Sequence, residues 1–190
     1  DFWFSIGSTY TYLSVSRISK IEDEHQVSFV WKPFSVRKLM MEMNNIPFTP
    51  PEKKVKSDYM WRDISRRAKN YNLSPIIPAP YPLKNFDLAN QIAVHGVNEG
   101  WCEQYVKLTY KYWFENGIEA GSEECIDKIS KDMNINPNDL IENSSSNTII
   151  EKYNAQTDKA RELGIFGSPS FISNGEIFWG DDRLEDAINW

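Results

Sequence analysis

The stretch from Gly164 to Glu185, Gly-Ile-Phe-Gly-Ser-Pro-Ser-Phe-Ile-Ser-Asn-Gly-Glu-Ile-Phe-Trp-Gly-Asp-Asp-Arg-Leu-Glu, constrains the fold of this chain most. It reads as a loop, a short strand, a two-residue Asn174-Gly175 turn, a second strand and an acidic helix start. Pro169 stands directly before the first strand, where a residue without an N–H cannot contribute to a ladder. A cis Ser168-Pro169 bond accounts for it, because it turns a carbonyl and an amide outward. Such groups pair with a peptide-like ligand as a further strand would.

The opposite end supplies the matching half. Residues 1–6 form a short apolar, aromatic run that predicts a buried strand, and Gly7 ends it. Ser8 is placed to cap a helix over Thr9 to Glu24, whose Tyr12, Leu13, Val15, Ile18 and Ile21 recur at helical spacing. Val27 to Lys32 alternates as a second strand, so the start reads as a right-handed β-α-β unit.

Between these ends the pattern is helical. Pro47, Pro50 and Pro51 mark one loop, and Pro75, Pro78, Pro80 and Pro82 another. Helices are expected over Tyr59 to Tyr71, over Asp87 to Glu115 with a joint at Gly100, over Ser122 to Met133, and from Asn136-Pro137. Asn143 to Asn147 reads as a linker, and Thr148 to Leu163 as a helix closed by Gly164.

Several function classes drop out. A formal net charge of −6 argues against nucleic acid as a partner. No apolar run approaches the roughly 20 residues of a membrane span. An opening at Asp1, without methionine and at a strand edge, leaves targeting unread. Cys102 and Cys125 lie far apart in helix-like sequence and read as buried, reduced thiols. With His25 and His95 as isolated, no metal site is expected.

Phe166, Gly167, Pro169, Phe171, Phe178, Trp179, Gly180, Asp182, Arg183 and Leu184 fit a pattern that resembles the C-terminal signature of the kappa-class glutathione transferases and 2-hydroxychromene-2-carboxylate isomerases. This group lies in the superfamily of thioredoxin-fold disulfide oxidoreductases. The resemblance covers most of the chain. It implies an α/β fold: a thioredoxin-like domain, residues 1–34 and 148–190, with a large all-α domain, residues 35–147, inserted between its β-α-β and α-β-β-α halves. Where the oxidoreductases carry Cys-x-x-Cys, this chain has Ser8 and Thr11, so dithiol exchange at that turn is excluded. Ser8, Tyr10, Tyr12 and Leu13 match the group's serine motif, while Thr9 replaces its usual proline and Ser5 a common aspartate.

The resemblance implies glutathione as cosubstrate. Ser8 would hold its sulfur at a helix N-terminus, where a thiolate is stabilised. The backbone at Ser168 and Pro169 would pair with the cysteinyl unit. Asp181, Asp182 and Arg183 would meet the γ-glutamyl group, Lys56 a carboxylate, and Asn45 the peptide backbone. Asn85, in Pro82-Leu83-Lys84-Asn85, would contact the second substrate. That substrate is expected to be a small electrophilic, aromatic-derived molecule, taken up by part of the aromatic set Trp61, Tyr81, Phe86, Trp101, Tyr110, Tyr112 and Trp113. The outcome is isomerisation or transfer, in a cytoplasmic homodimer. The rivals are a non-catalytic protein that holds peptide segments at the Ser168-Pro169 loop, and a disulfide-oxidoreductase relative without activity.

Overall fold

The structure is a computed structural model that describes residues 1–45 and 51–190. Pro47 and Pro50 lie outside the described residues. Strand β1 (Phe2–Phe4) is followed by helices α1 (Thr11–Val15) and α2 (Ile18–His25), strand β2 (Trp31–Pro33) and helix α3 (Val36–Glu42). A 3-10 turn (Pro51–Lys53) leads into α4 (Lys54–Asn70), then α5 (Phe86–Glu99), α6 (Cys102–Glu115), α7 (Glu123–Met133) and α8 (Pro137–Ser144). The chain returns through α9 (Asn147–Glu162), strands β3 (Ser170–Ser173) and β4 (Glu176–Trp179), a 3-10 turn (Asp181–Arg183) and α10 (Leu184–Asn189).

Among the described residues the sheet runs β2-β1-β3-β4. β1 pairs with β2 in parallel and with β3 antiparallel, with Phe2 opposite both Trp31 and Phe171. All three residues of β1 are buried, as expected of a central strand covered on both faces. The rings of Phe2 and Phe171 stack at 5.2 Å across the sheet. β3 and β4 form a hairpin through Asn174 (φ 49°) and Gly175 (φ 84°), the left-handed pair that a type I′ turn demands. α5 and α9 pack on β2, and α10 packs on β3 and β4. One continuous core holds Phe2 of β1 and Leu184 of α10 together with Trp113 and Ile126 of the intervening helices.

Three local expectations are corrected. The helix over Thr9 to Glu24 is two helices, broken at Ser16 and Arg17, because the Arg17 guanidinium is drawn to the Asp181 carbonyl (2.9 Å) and the Glu185 carboxylate. The second strand starts at Trp31 rather than Val27, since Gln26 (φ 53°) turns the chain and Phe29 N–H is taken by the Glu22 side chain (3.1 Å). The linker at Asn143 to Asn147 shrinks to Ser145 and Ser146: Ser144 is buried against His95 Nδ1 (3.1 Å), and α9 starts at Asn147 with Ser146 at its N-cap position.

Candidate functional site

The turn after β1 is held from several sides. Asn90, fully buried on α5, accepts from Ile6 N–H (2.7 Å) and donates to the Ile6 and Phe86 carbonyls (both 2.8 Å). Tyr110 of α6 directs its hydroxyl between the carbonyls of Ser5 (3.2 Å) and Ser8 (3.1 Å). Gly7 has φ 117°, and a Cβ there would stand 2.6 Å from the Phe86 ring, so the turn requires glycine on both counts.

This turn meets the loop that ends in the cis Ser168-Pro169 bond. The Ser8 hydroxyl donates to the Ser168 carbonyl at 2.5 Å. The Ser168 hydroxyl accepts from Ser5 N–H (2.9 Å) and lies 3.0 Å from Thr11 Oγ1. The two positions that would carry the cysteines of a redox pair therefore both bind Ser168. Ser8 does not cap a helix: α1 starts at Thr11 with Tyr10 at its N-cap position, and the Ser8 hydroxyl is turned across to the other loop.

Ser8 and Ser168 lie in a cleft of about 530 Å3, a size that suits a small organic ligand. Met40 of α3, Met60 of α4, Phe86 of α5 and Phe166 give it an apolar wall. Trp179 closes one side, its ring 4.8 Å from that of Phe166 and laid over Gly167, where a Cβ would fall 2.2 Å from Trp179 Nε1. Among the described residues, the charged groups that line the cleft are Arg37 and Lys56, and no carboxylate lines it. In a chain of net charge −6, that is a locally cationic cavity.

Of the residues expected at a site, Ser8, Asn45, Lys56 and Ser168 line this cleft, and Pro169 follows in cis. The Asn45 Oδ1 accepts from Lys53 Nζ (3.2 Å), which leaves its Nδ2 to donate. Four others are turned elsewhere. Asn85 donates to the Gly121 carbonyl (3.0 Å) and so ties the start of α5 to the turn before α7. Arg183 is exposed and paired with Asp186 (2.8 Å). Asp182 is exposed, 3.3 Å from Arg183 and 4.0 Å from Arg67. Asp181 is 1% exposed, with Arg67 2.7 Å from Oδ2 but not aligned on it for a hydrogen bond. Burial pushes the Asp181 carboxyl up to about 7, against the opposing pull of Arg67 and Arg17. Of the aromatic set, Tyr81 and Phe86 reach the cleft, whereas Tyr110 and Trp113 are core.

Sequence reasoning passed over Arg37 and Asn90, and it named Tyr110 only in the aromatic set, not as the residue that holds the Ser5 and Ser8 carbonyls. Asn90 had a readable signal, a polar residue on the apolar face formed by Phe86, Ala89 and Ala93. Arg37 had none, because its neighbours come from distant segments.

The chemistry open to this site follows from its groups. Burial holds the Cys125 thiol at about 12 and pushes Cys102 higher still, so neither supplies a thiolate. Tyr10 donates to Asp63 (3.0 Å), and burial and that bond keep its hydroxyl protonated. His95 is engaged with Ser144, and among the described residues no histidine lines the cleft to act as a base for Ser8. Ser8 is therefore equipped as a hydrogen-bond donor, not as an activated nucleophile. Among the described residues no cluster of His, Cys, Asp and Glu is arranged to hold a metal ion, and no helix is long and apolar enough to cross a membrane.

Comparison with known proteins agrees with this architecture. The family model described as DSBA-like thioredoxin domain matches residues 1–188. The chain is 26% identical over 184 residues to a 2-hydroxychromene-2-carboxylate isomerase of Pseudomonas putida, covering 97% of this chain and 89% of that protein. It is 25% identical over 200 residues to glutathione S-transferase kappa 1 of Caenorhabditis elegans, covering 97% of this chain and 86% of that protein. A solved structure of a selenomethionine 2-hydroxychromene-2-carboxylate isomerase superposes with a TM-score of 0.87 at 26% identity, over 100% of this chain and 93% of the other.

Proposed function

The chain belongs to the DSBA-like thioredoxin domain family, and from that premise we propose that it is a glutathione-dependent enzyme that isomerises a conjugated organic acid, with transfer of glutathione as the variant outcome of the same site. The observation that carries this reading is the Ser8 hydroxyl, set 2.5 Å from the Ser168 carbonyl in a cleft whose charged lining groups, among the described residues, are both cations. Similarity to isomerases and to a kappa-class transferase supports it.

When bound, glutathione supplies nucleophilic sulfur that also leaves readily: addition to a conjugated carbon, rotation and loss give the isomer, and addition without loss gives transfer. The chain's own groups bind, orient and ionise. The Ser8 hydroxyl donates to the Ser168 carbonyl. The Ser168 carbonyl, with a second lone pair, would accept from a cysteinyl amide, and the Ser8 hydroxyl beside it would donate to the sulfur. That bond favours the thiolate over the thiol, and each unit by which the thiol's pKa falls corresponds to ~1.4 kcal/mol. α1 has only five residues, so its dipole adds little and the Ser8 hydroxyl carries the effect. Lys56 faces a terminal carboxylate and Asn45 Nδ2 the peptide backbone. Met40, Met60, Phe86 and Phe166 exclude water and receive the acceptor. A cytoplasmic homodimer belongs to the same reading.

Calorimetric titration with reduced glutathione tests it. Saturable binding in the micromolar to low-millimolar range is expected. Absence of heat at millimolar ligand overturns the proposal and leaves a protein that holds peptide segments at the Ser168-Pro169 loop.

A further inference from the structure

The arginine side chains of this protein are, with two exceptions, paired with carboxylates among the described residues: Arg17 with Glu185, Arg66 with Asp63, Arg67 with Asp181, Arg161 with Glu42 and Arg183 with Asp186. Arg62 is exposed. Arg37 is different from both groups. It is half-buried, it lines the cleft that holds Ser8, and among the described residues no carboxylate comes within ion-pair distance of it. Partly withdrawing a guanidinium from water without a counter-ion has a cost, which an anion entering the cleft would offset.

The side chain is also fixed in place. Its guanidinium lies over the Phe86 ring, Cζ 4.0 Å from the ring centre, and Nη2 donates to the Leu83 carbonyl at 3.2 Å. Four of its five N–H donors are left for other partners. The Phe86 ring in turn abuts Gly7, the residue before Ser8. The helix that carries Arg37 is tied to the same turn, because Val36 N–H faces the Ser5 hydroxyl at 3.4 Å. Ring and helix thus set the position of the guanidinium relative to Ser8 from two sides. A planar fork held against an aromatic face matches a carboxylate by two parallel bonds, which a flexible lysine does not.

We infer that Arg37 binds a carboxylate of the acceptor substrate and thereby selects conjugated carboxylic acids whose apolar part lies along Phe86 and Met60. The inference deepens the proposed reading of this cleft and rests on it only for the word acceptor; an anion site at Arg37 stands or falls by itself. A carboxylate drawn to a cation also withdraws electrons from the conjugated system, in the direction that eases attack by a thiolate.

Binding of cinnamate and of cinnamamide, its uncharged isostere, measured by calorimetry on the intact protein, tests this. The wild type is expected to prefer the acid by about tenfold or more, the scale of a charge-assisted bond pair. Arg37→Gln should lose that preference by weakening cinnamate alone, and Arg37→Lys should restore it in part. Glutathione titrated into Arg37→Gln should bind as to the wild type; if glutathione binds to neither while the acid preference persists, the anion site survives and the glutathione reading does not. Equal affinity of the wild type for acid and amide overturns the inference. So does an Arg37→Gln variant that weakens both ligands alike, which marks a structural role, or a preference abolished by Lys56→Gln but not by Arg37→Gln.

Discussion

Asp181 offers a test of the electrostatics behind the cleft. The residue is 1% exposed, and its carboxyl stands at about 7 instead of its ordinary 3.8, burial outweighing the attraction of Arg67 and Arg17. The gap of about 3 units corresponds to ~4 kcal/mol by linkage. The sign follows from proton counts. Between pH 3.8 and about 7 the folded chain keeps a proton that the unfolded chain has lost. The contribution to stability is therefore fully present below pH 3.8, declines as pH rises through the window, and is gone above about 7. Asp181→Asn keeps the shape of the side chain and removes the ionisation. Its urea unfolding free energy should equal that of the wild type near pH 4 and exceed it increasingly up to pH 7, by a margin approaching ~4 kcal/mol. Comparison of the two proteins cancels the other carboxylates, including Glu42 and Asp158, whose pairing with Arg161 pulls them the opposite way. Parallel pH profiles of the two proteins would refute the reasoning, because they would mean that Asp181 is charged in the folded state at no cost.

Two further outcomes are expected. Gly167→Ala places a Cβ 2.2 Å from Trp179 Nε1, so the indole must leave the cleft wall; unfolding in urea should show a loss of about 1–3 kcal/mol with a shifted tryptophan emission, and an unchanged midpoint would contradict the packing. Cys102 and Cys125 are buried with raised pKa values, so a thiol-specific reagent should label neither in the native protein at neutral pH and both in urea; native labelling of either would contradict their assignment as inert core.

What could be read from the residues alone was what local chemistry decides. Asn174-Gly175 specified its turn, Gly100 and Gly164 ended helices with φ near 80°, and Ser122 and Asn136 capped α7 and α8, because each acts within a few residues of itself. The apolar run at Phe2–Phe4 announced a central strand for the same reason. The errors share another cause: a distant partner outbid a local preference. Arg17 breaks its helix to reach Asp181 and Glu185, and Ser8 gives up a cap for the Ser168 carbonyl. Arg37 was silent because nothing in its own segment shows that Phe86 and Leu83, far along the chain, will hold it at the cleft. Ser8, Ser168 and Lys56 were found through a motif resemblance, and their meeting in one cleft is a property of the sheet order that no spacing along the chain displays.

The central claim is that the Ser8 hydroxyl ionises a sulfur brought by a cosubstrate. Ultraviolet titration of the thiolate of bound glutathione, in the wild type and in Ser8→Ala, tests it most directly. The account predicts a bound thiol that ionises below the free value of about 8.5 in the wild type, and upward by about one unit in Ser8→Ala, with most of the binding affinity retained. Superimposable titration curves for the two proteins would contradict it.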